Sequence, residues 1–117
     1  MKKVRTLGEA EGLLHTILKR IRDDGILFIN RPKNAQSLAE FGITATQQRR
    51  IIESLRPEDY CGGPEADEKY PWKVVAVFGV TYREVEIYIK FSMGVDNAPV
   101  VCLSFHRSEY PMRYQFK

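Results

Sequence analysis

Glu84-Val85-Glu86-Ile87-Tyr88-Ile89-Lys90-Phe91 alternates polar and apolar residues, and Val101-Cys102-Leu103-Ser104-Phe105-His106 does the same after the turn-like Gly94-Val95-Asp96-Asn97-Ala98-Pro99. Successive side chains of a strand point to opposite faces, so each run can bury one row and display the other. The alternation predicts a hairpin with Val85, Ile87, Ile89 and Phe91 in a core beside Val101, Leu103 and Phe105. The polar row Glu86, Tyr88, Lys90, Ser104 and His106 then lies on the opposite face.

Working outward, Trp72-Lys73-Val74-Val75-Ala76-Val77-Phe78-Gly79 reads as an inner strand, apolar on both sides. A tight turn from Gly79 to Arg83 pairs it antiparallel with the 84–91 run. From Arg56 to Pro71, the residues Pro57, Gly62, Gly63, Pro64 and Pro71 predict a loop. Specific side chains on a loop are a functional pointer, and this one carries Asp59, Tyr60, Asp67 and Tyr70.

The N-terminal half reads as helical. Thr6-Leu7-Gly8-Glu9 fits a capping box, followed by Leu7, Ala10, Leu14, Ile17, Leu18 and Ile21 at helical spacing as far as about Arg22, with Lys19, Arg20 and Arg22 on a solvated edge. Ile26-Leu27-Phe28-Ile29 is a short β-type run closed by a turn over 30–34, and Ser37 to Gly42 a short helix. Thr44-Ala45-Thr46-Gln47 opens another helix, with Ile51, Ile52 and Leu55 as its apolar face up to Pro57. The expectation is an α+β chain of one domain, 1–117, with N-terminal helices packed on one face of a mainly antiparallel sheet.

Composition agrees with an ordinary globular chain: 117 residues, 44% hydrophobic and 28% charged. No apolar run reaches the length of a membrane span, and Met1-Lys2-Lys3 leads into an amphipathic pattern rather than a signal segment, so a cytoplasmic protein without a membrane partner is expected. The net charge of +3 permits an anionic partner without demanding one. Cys61 and Cys102 make no metal site by themselves, and no metal or cofactor is expected.

The polar row holds the residue types that metal-free RNA cleavage needs. His106 can exchange a proton near neutrality, Tyr88 can donate a hydrogen bond or stack on a base, and Lys90, Arg83, Arg107 and Arg113 can neutralise phosphate. Tyr and Lys are equally ordinary on the wet face of an antiparallel sheet.

A further signal is the order of short motifs. Lys33-Asn34, Leu38-Ala39-Glu40-Phe41-Gly42-Ile43-Thr44, Ser54-Leu55, Asp59-Tyr60, Gly63-Pro64, Asp67, Trp72, Val77-Phe78-Gly79, Glu86-Ile87-Tyr88-Ile89-Lys90, Cys102-Leu103-Ser104-Phe105-His106 and Glu109-Tyr110-Pro111-Met112 together resemble the ParE-like and RelE-like toxins of bacterial type II toxin–antitoxin systems. The resemblance spans roughly 26–117 and extends to the MqsR mRNA interferases. It implies a RelE-like fold, an endoribonuclease acting on mRNA without metal, and a cognate antitoxin as partner. It also implies catalytic roles at Tyr88 and His106; the expected site adds Lys90 as catalytic and Lys73, Arg83, Arg107, Arg113, Tyr60 and Trp72 as RNA contacts. Three positions depart from the pattern: His106 stands where those toxins have a catalytic lysine, Lys73 where they have a glutamine, and Cys61 and Gly62 occupy the place of a further lysine. A non-enzymatic toxin directed at a protein such as gyrase, and an inactive binding module, are the rival readings.

Overall fold

The computed structural model describes residues 3–93 and 97–117; of the expected turn before Val100, Gly94, Val95 and Asp96 lie outside the described residues. Helix α1 (Leu7–Asp24) leads to β1 (Ile26–Phe28), α2 (Pro32–Phe41) and α3 (Ala45–Glu53). A single 3₁₀ turn at Pro57–Asp59 then precedes β2 (Tyr60–Ala66), β3 (Val74–Tyr82), β4 (Val85–Ser92) and β5 (Val100–Arg107). The strands form one mixed sheet in the order β1-β5-β4-β3-β2, parallel only between β1 and β5. The chain is therefore α+β with its helices N-terminal. Among the described residues no helix is long and apolar enough to cross a membrane.

The helices begin and end where their local chemistry dictates. Thr6 Oγ1 accepts from the Glu9 N–H at 3.1 Å, while the Glu9 carboxylate reaches back to the N–H of Arg5. Gly25, at φ 88°, ends α1. Thr44 and Gln47 exchange both bonds of a capping box at the start of α3. Helix α2 starts five residues before the expected Ser37, because Pro32 occupies its first turn, where the missing N–H costs nothing.

One core lies between the helices and the sheet. Ala10, Leu14, Ile17 and Ile21 of α1, Phe41 of α2 and Ile52 of α3 meet Ala76, Phe78, Ile87, Ile89, Phe91, Val100, Cys102 and Phe105. The β4 row is as expected, whereas β5 is corrected. A bulge leaves Leu103 between Cys102, opposite Phe91, and Ser104, opposite Lys90. Its extra residue shifts the alternation, so Val100 and Cys102 join Phe105 in the core and Val101 pairs with Ser92 on the other face.

Four other expectations change. Residues 60–66 form a strand despite Gly62, Gly63 and Pro64, because β2 is an edge with two register shifts, where proline and bulges are tolerated. At Gly63 any Cβ would lie 2.8 Å from the Ala76 Cα, so only glycine lets the two backbones approach. Strand β3 starts at Val74, leaving Trp72 outside it and 75% exposed. It also runs on to Tyr82, so the hairpin turn is Arg83-Glu84, both at positive φ (50° and 68°) as a two-residue primed turn requires. Arg20 leaves the solvated edge of α1 and donates to the carbonyls of Met93 and Ala98.

Candidate functional site on the open sheet face

The register sets Gly79, Tyr88 and His106 opposite one another across β3, β4 and β5, and Val77, Lys90 and Ser104 in the next row. The Tyr88 and His106 rings stack, with centroids 5.4 Å apart and planes 21° apart. His106 Nδ1 lies 2.8 Å from the Arg107 carbonyl, which can only accept. That contact fixes the proton on Nδ1 and leaves Nε2 to accept or deliver a proton. Burial holds the Tyr88 phenol above its ordinary value of 10.0, so it stays protonated and serves as a donor rather than a base.

The C-terminal segment walls this face. The Ser108 N–H donates to the Glu86 carbonyl, the Met112 N–H to the Glu86 carboxylate, and the Gln115 N–H to the Tyr60 carbonyl. Gly79 makes room for it: a Cβ there would stand 2.8 Å from Met112 Cε and 3.0 Å from Tyr114 Oη. Between this segment and the sheet lies a cleft of about 470 Å³ whose lining includes Cys61, Glu65, Tyr88, His106, Tyr110 and Arg113. A second cleft, of about 530 Å³, lies toward α2 and includes Arg31, Lys33, Lys69, Tyr70, Lys90 and His106. His106 lines both, beside the ion pair of Lys33 with Glu109.

Lys90 is an ion-paired cation. Its Nζ is 2.5 Å from Asp67, with the two side chains only 20% and 6% exposed. The Lys90 hydrogen bond is the main reason the Asp67 carboxyl sits below its ordinary 3.8, and the Tyr70 N–H also donates to it. Lys73 packs over the Tyr70 ring at 4.8 Å, and Trp72 meets that ring edge-on. Arg113 lines the first cleft.

The other expected RNA contacts are placed elsewhere. Arg83 sits at the β3–β4 turn and donates to the Phe41 carbonyl. Arg107 pairs with Glu40 of α2 at 2.9 Å, since its position in β5 is one past His106 and so on the helix side. Tyr60 is 4% exposed, stacked on Phe116 and edge-on to Phe78 in the core. Cys61, held up to about 11 chiefly by burial, and Cys102, pushed up to about 12 for the same reason, both remain thiols. Among the described residues no group of three His, Cys, Asp or Glu side chains is arranged to hold a metal ion.

Sequence reasoning passed over Glu65, Glu109 and Tyr110 as cleft residues. The available signal was Gly62-Gly63-Pro64, which marks a bulged edge strand as readily as a loop and would have set Glu65 on a sheet.

No family model, curated protein or solved structure matches the chain, so its function rests on the chemistry of this face.

Proposed function

We propose that the chain is a RelE-like toxin of a type II toxin–antitoxin system and a metal-independent endoribonuclease, with the open face as its active site. The observation that carries this reading is His106: anchored through Nδ1, stacked on a protonated tyrosine, and standing where two clefts meet. In the proposed reaction Nε2 takes the proton of a ribose 2′-OH as that oxygen attacks phosphorus. The bond from phosphorus to the 5′-oxygen breaks, and the Tyr88 hydroxyl donates to the departing oxygen. Arg113, in the cleft beside them, offsets charge on the phosphorane. Lys90, paired with Asp67, acts as a positioning residue beside Tyr88. The motif resemblance supports the toxin class and a cognate antitoxin that covers this face.

A second reading, a non-enzymatic toxin that grips a protein target, draws on Tyr110, which is 80% exposed at the rim. Incubation with single-stranded RNA in EDTA separates the two. Fragments from the native chain and none from His106→Ala are expected. Intact RNA removes the ribonuclease, and intact RNA with growth arrest on induction supports the second reading.

A further inference from the structure

The two clefts beside His106 differ in charge. The first brings Glu65 and Glu109 together with one full cation, Arg113. The second brings Arg31, Lys33, Lys69 and Lys90 together with one carboxylate, Asp67. Lys33 and Lys90 are neutralised by Glu109 and Asp67, whereas Arg31, Lys69 and Lys73 have no ion pair among the described residues. Lys69 and Lys73 instead lie 5.6 and 4.8 Å from the Tyr70 ring centroid. Trp72 stands edge-on to the same ring at 5.4 Å, with three quarters of its surface exposed. An indole left in water, braced by a second aromatic over which two lysines without ion pairs among the described residues lie, is what an unpaired base and its phosphates require.

We propose that the cleft between the start of α2 and the β2–β3 turn is a binding site for single-stranded nucleic acid. One base stacks on Trp72, while Arg31, Lys69 and Lys73 meet the adjoining phosphates. If the ribonuclease reading holds, this cleft takes the strand on one side of the scissile phosphate, which lies between His106 and Arg113. The site needs no ribose 2′-OH and no cleavage, so it stands or falls separately from that reading.

Trp72 is the only tryptophan, so its fluorescence reports the Tyr70–Trp72 corner at the edge of this cleft. Titration of the full chain with a single-stranded DNA oligonucleotide, which cannot be cleaved through a 2′-OH, is expected to quench it. The same strand in a duplex and inorganic polyphosphate are expected to leave it unchanged. Fluorescence anisotropy of a labelled oligonucleotide should show Trp72→Ala weakening binding about 10-fold, as loss of one stacked base does. The slope of log K against log salt should be about −2 for three phosphate contacts and become shallower in Lys69→Ala and Lys73→Ala. Quenching without RNA cleavage keeps this site and removes the ribonuclease. RNA cleavage with no quenching and no effect of Trp72→Ala overturns the site, as does equal quenching by polyphosphate.

Discussion

Asp67 and Lys90 illustrate how a pair on the sheet face acts on both stability and chemistry. Asp67 is nearly buried and Lys90 largely so, which places the pair between the weak surface case and the costly interior one. Replacing Lys90 with Ala leaves a carboxylate with a single backbone donor and should cost about 2 kcal/mol in chemical denaturation. The Asp67 carboxyl is depressed in the folded chain, so the folded state holds fewer protons than the unfolded one around that range. Its contribution is full above the ordinary value of 3.8 and is lost as pH falls below it through the lower folded value. Denaturation midpoints of Asp67→Asn should therefore lack this part of the acid slope; an unchanged slope contradicts the pairing. Tyr114 presents the opposite case. Its hydroxyl is buried beside the Glu86 carboxylate without a hydrogen bond of good geometry among the described residues, and burial together with that carboxylate pushes the phenol up. Removing an unpaired buried hydroxyl relieves its desolvation, so Tyr114→Phe should raise stability by about 1 kcal/mol.

At the scale of elements, the edge of β5 shows what alternation cannot reveal. Strand β1 pairs with β5 only as far as Cys102. Beyond it, Asn34 of α2 donates to the Leu103 carbonyl at 3.1 Å and accepts from the Phe105 N–H at 3.0 Å, and Ser37 Oγ accepts from the Arg107 N–H. Side chains of a helix thus complete a ladder that a longer strand would otherwise supply. Asn34 also donates to Ile29, so Asn34→Ala should cost about 3 kcal/mol and expose the Phe105 amide to hydrogen exchange. The Arg83-Glu84 turn makes a gain available instead. Glu84 holds φ 68° without the freedom of glycine, and Glu84→Gly should add about 1 kcal/mol, measurable as a higher Tm.

These elements also mark how far the sequence could be read. The β4 alternation, both threonine caps and the apolar stripe of α1 are local patterns, and the structure follows them. The bulge at Leu103 was illegible because it is decided by pairing with β4, whereas Gly62-Gly63-Pro64 fits a bulged edge as well as a loop and Pro32 fits a helix start as well as a turn. Tyr88 and His106 fall on one face because they lie on the regular side of that bulge. Arg107 and Arg83 were grouped with them by charge alone, and charge carries no information about which face a side chain takes.

On the scale of the whole molecule, the C-terminal segment turns a flat sheet face into a cleft. It crosses from β5 over Gly79 to Tyr60, and there Phe116 stacks on the Tyr60 ring at 5.7 Å. The charged residues lining the two clefts are unevenly shared on either side of His106, so a polyanion has one favoured side from which to approach. In the proposed reaction His106 and Tyr88 cleave RNA through its own 2′-oxygen. The most direct measurement uses a DNA oligonucleotide carrying one ribonucleotide, incubated in EDTA and analysed by mass. The account predicts a break only after that ribose, leaving a 2′,3′-cyclic phosphate and a 5′-hydroxyl, and no break with His106→Ala. An intact strand, or products bearing a 5′-phosphate and a 3′-hydroxyl, would contradict it.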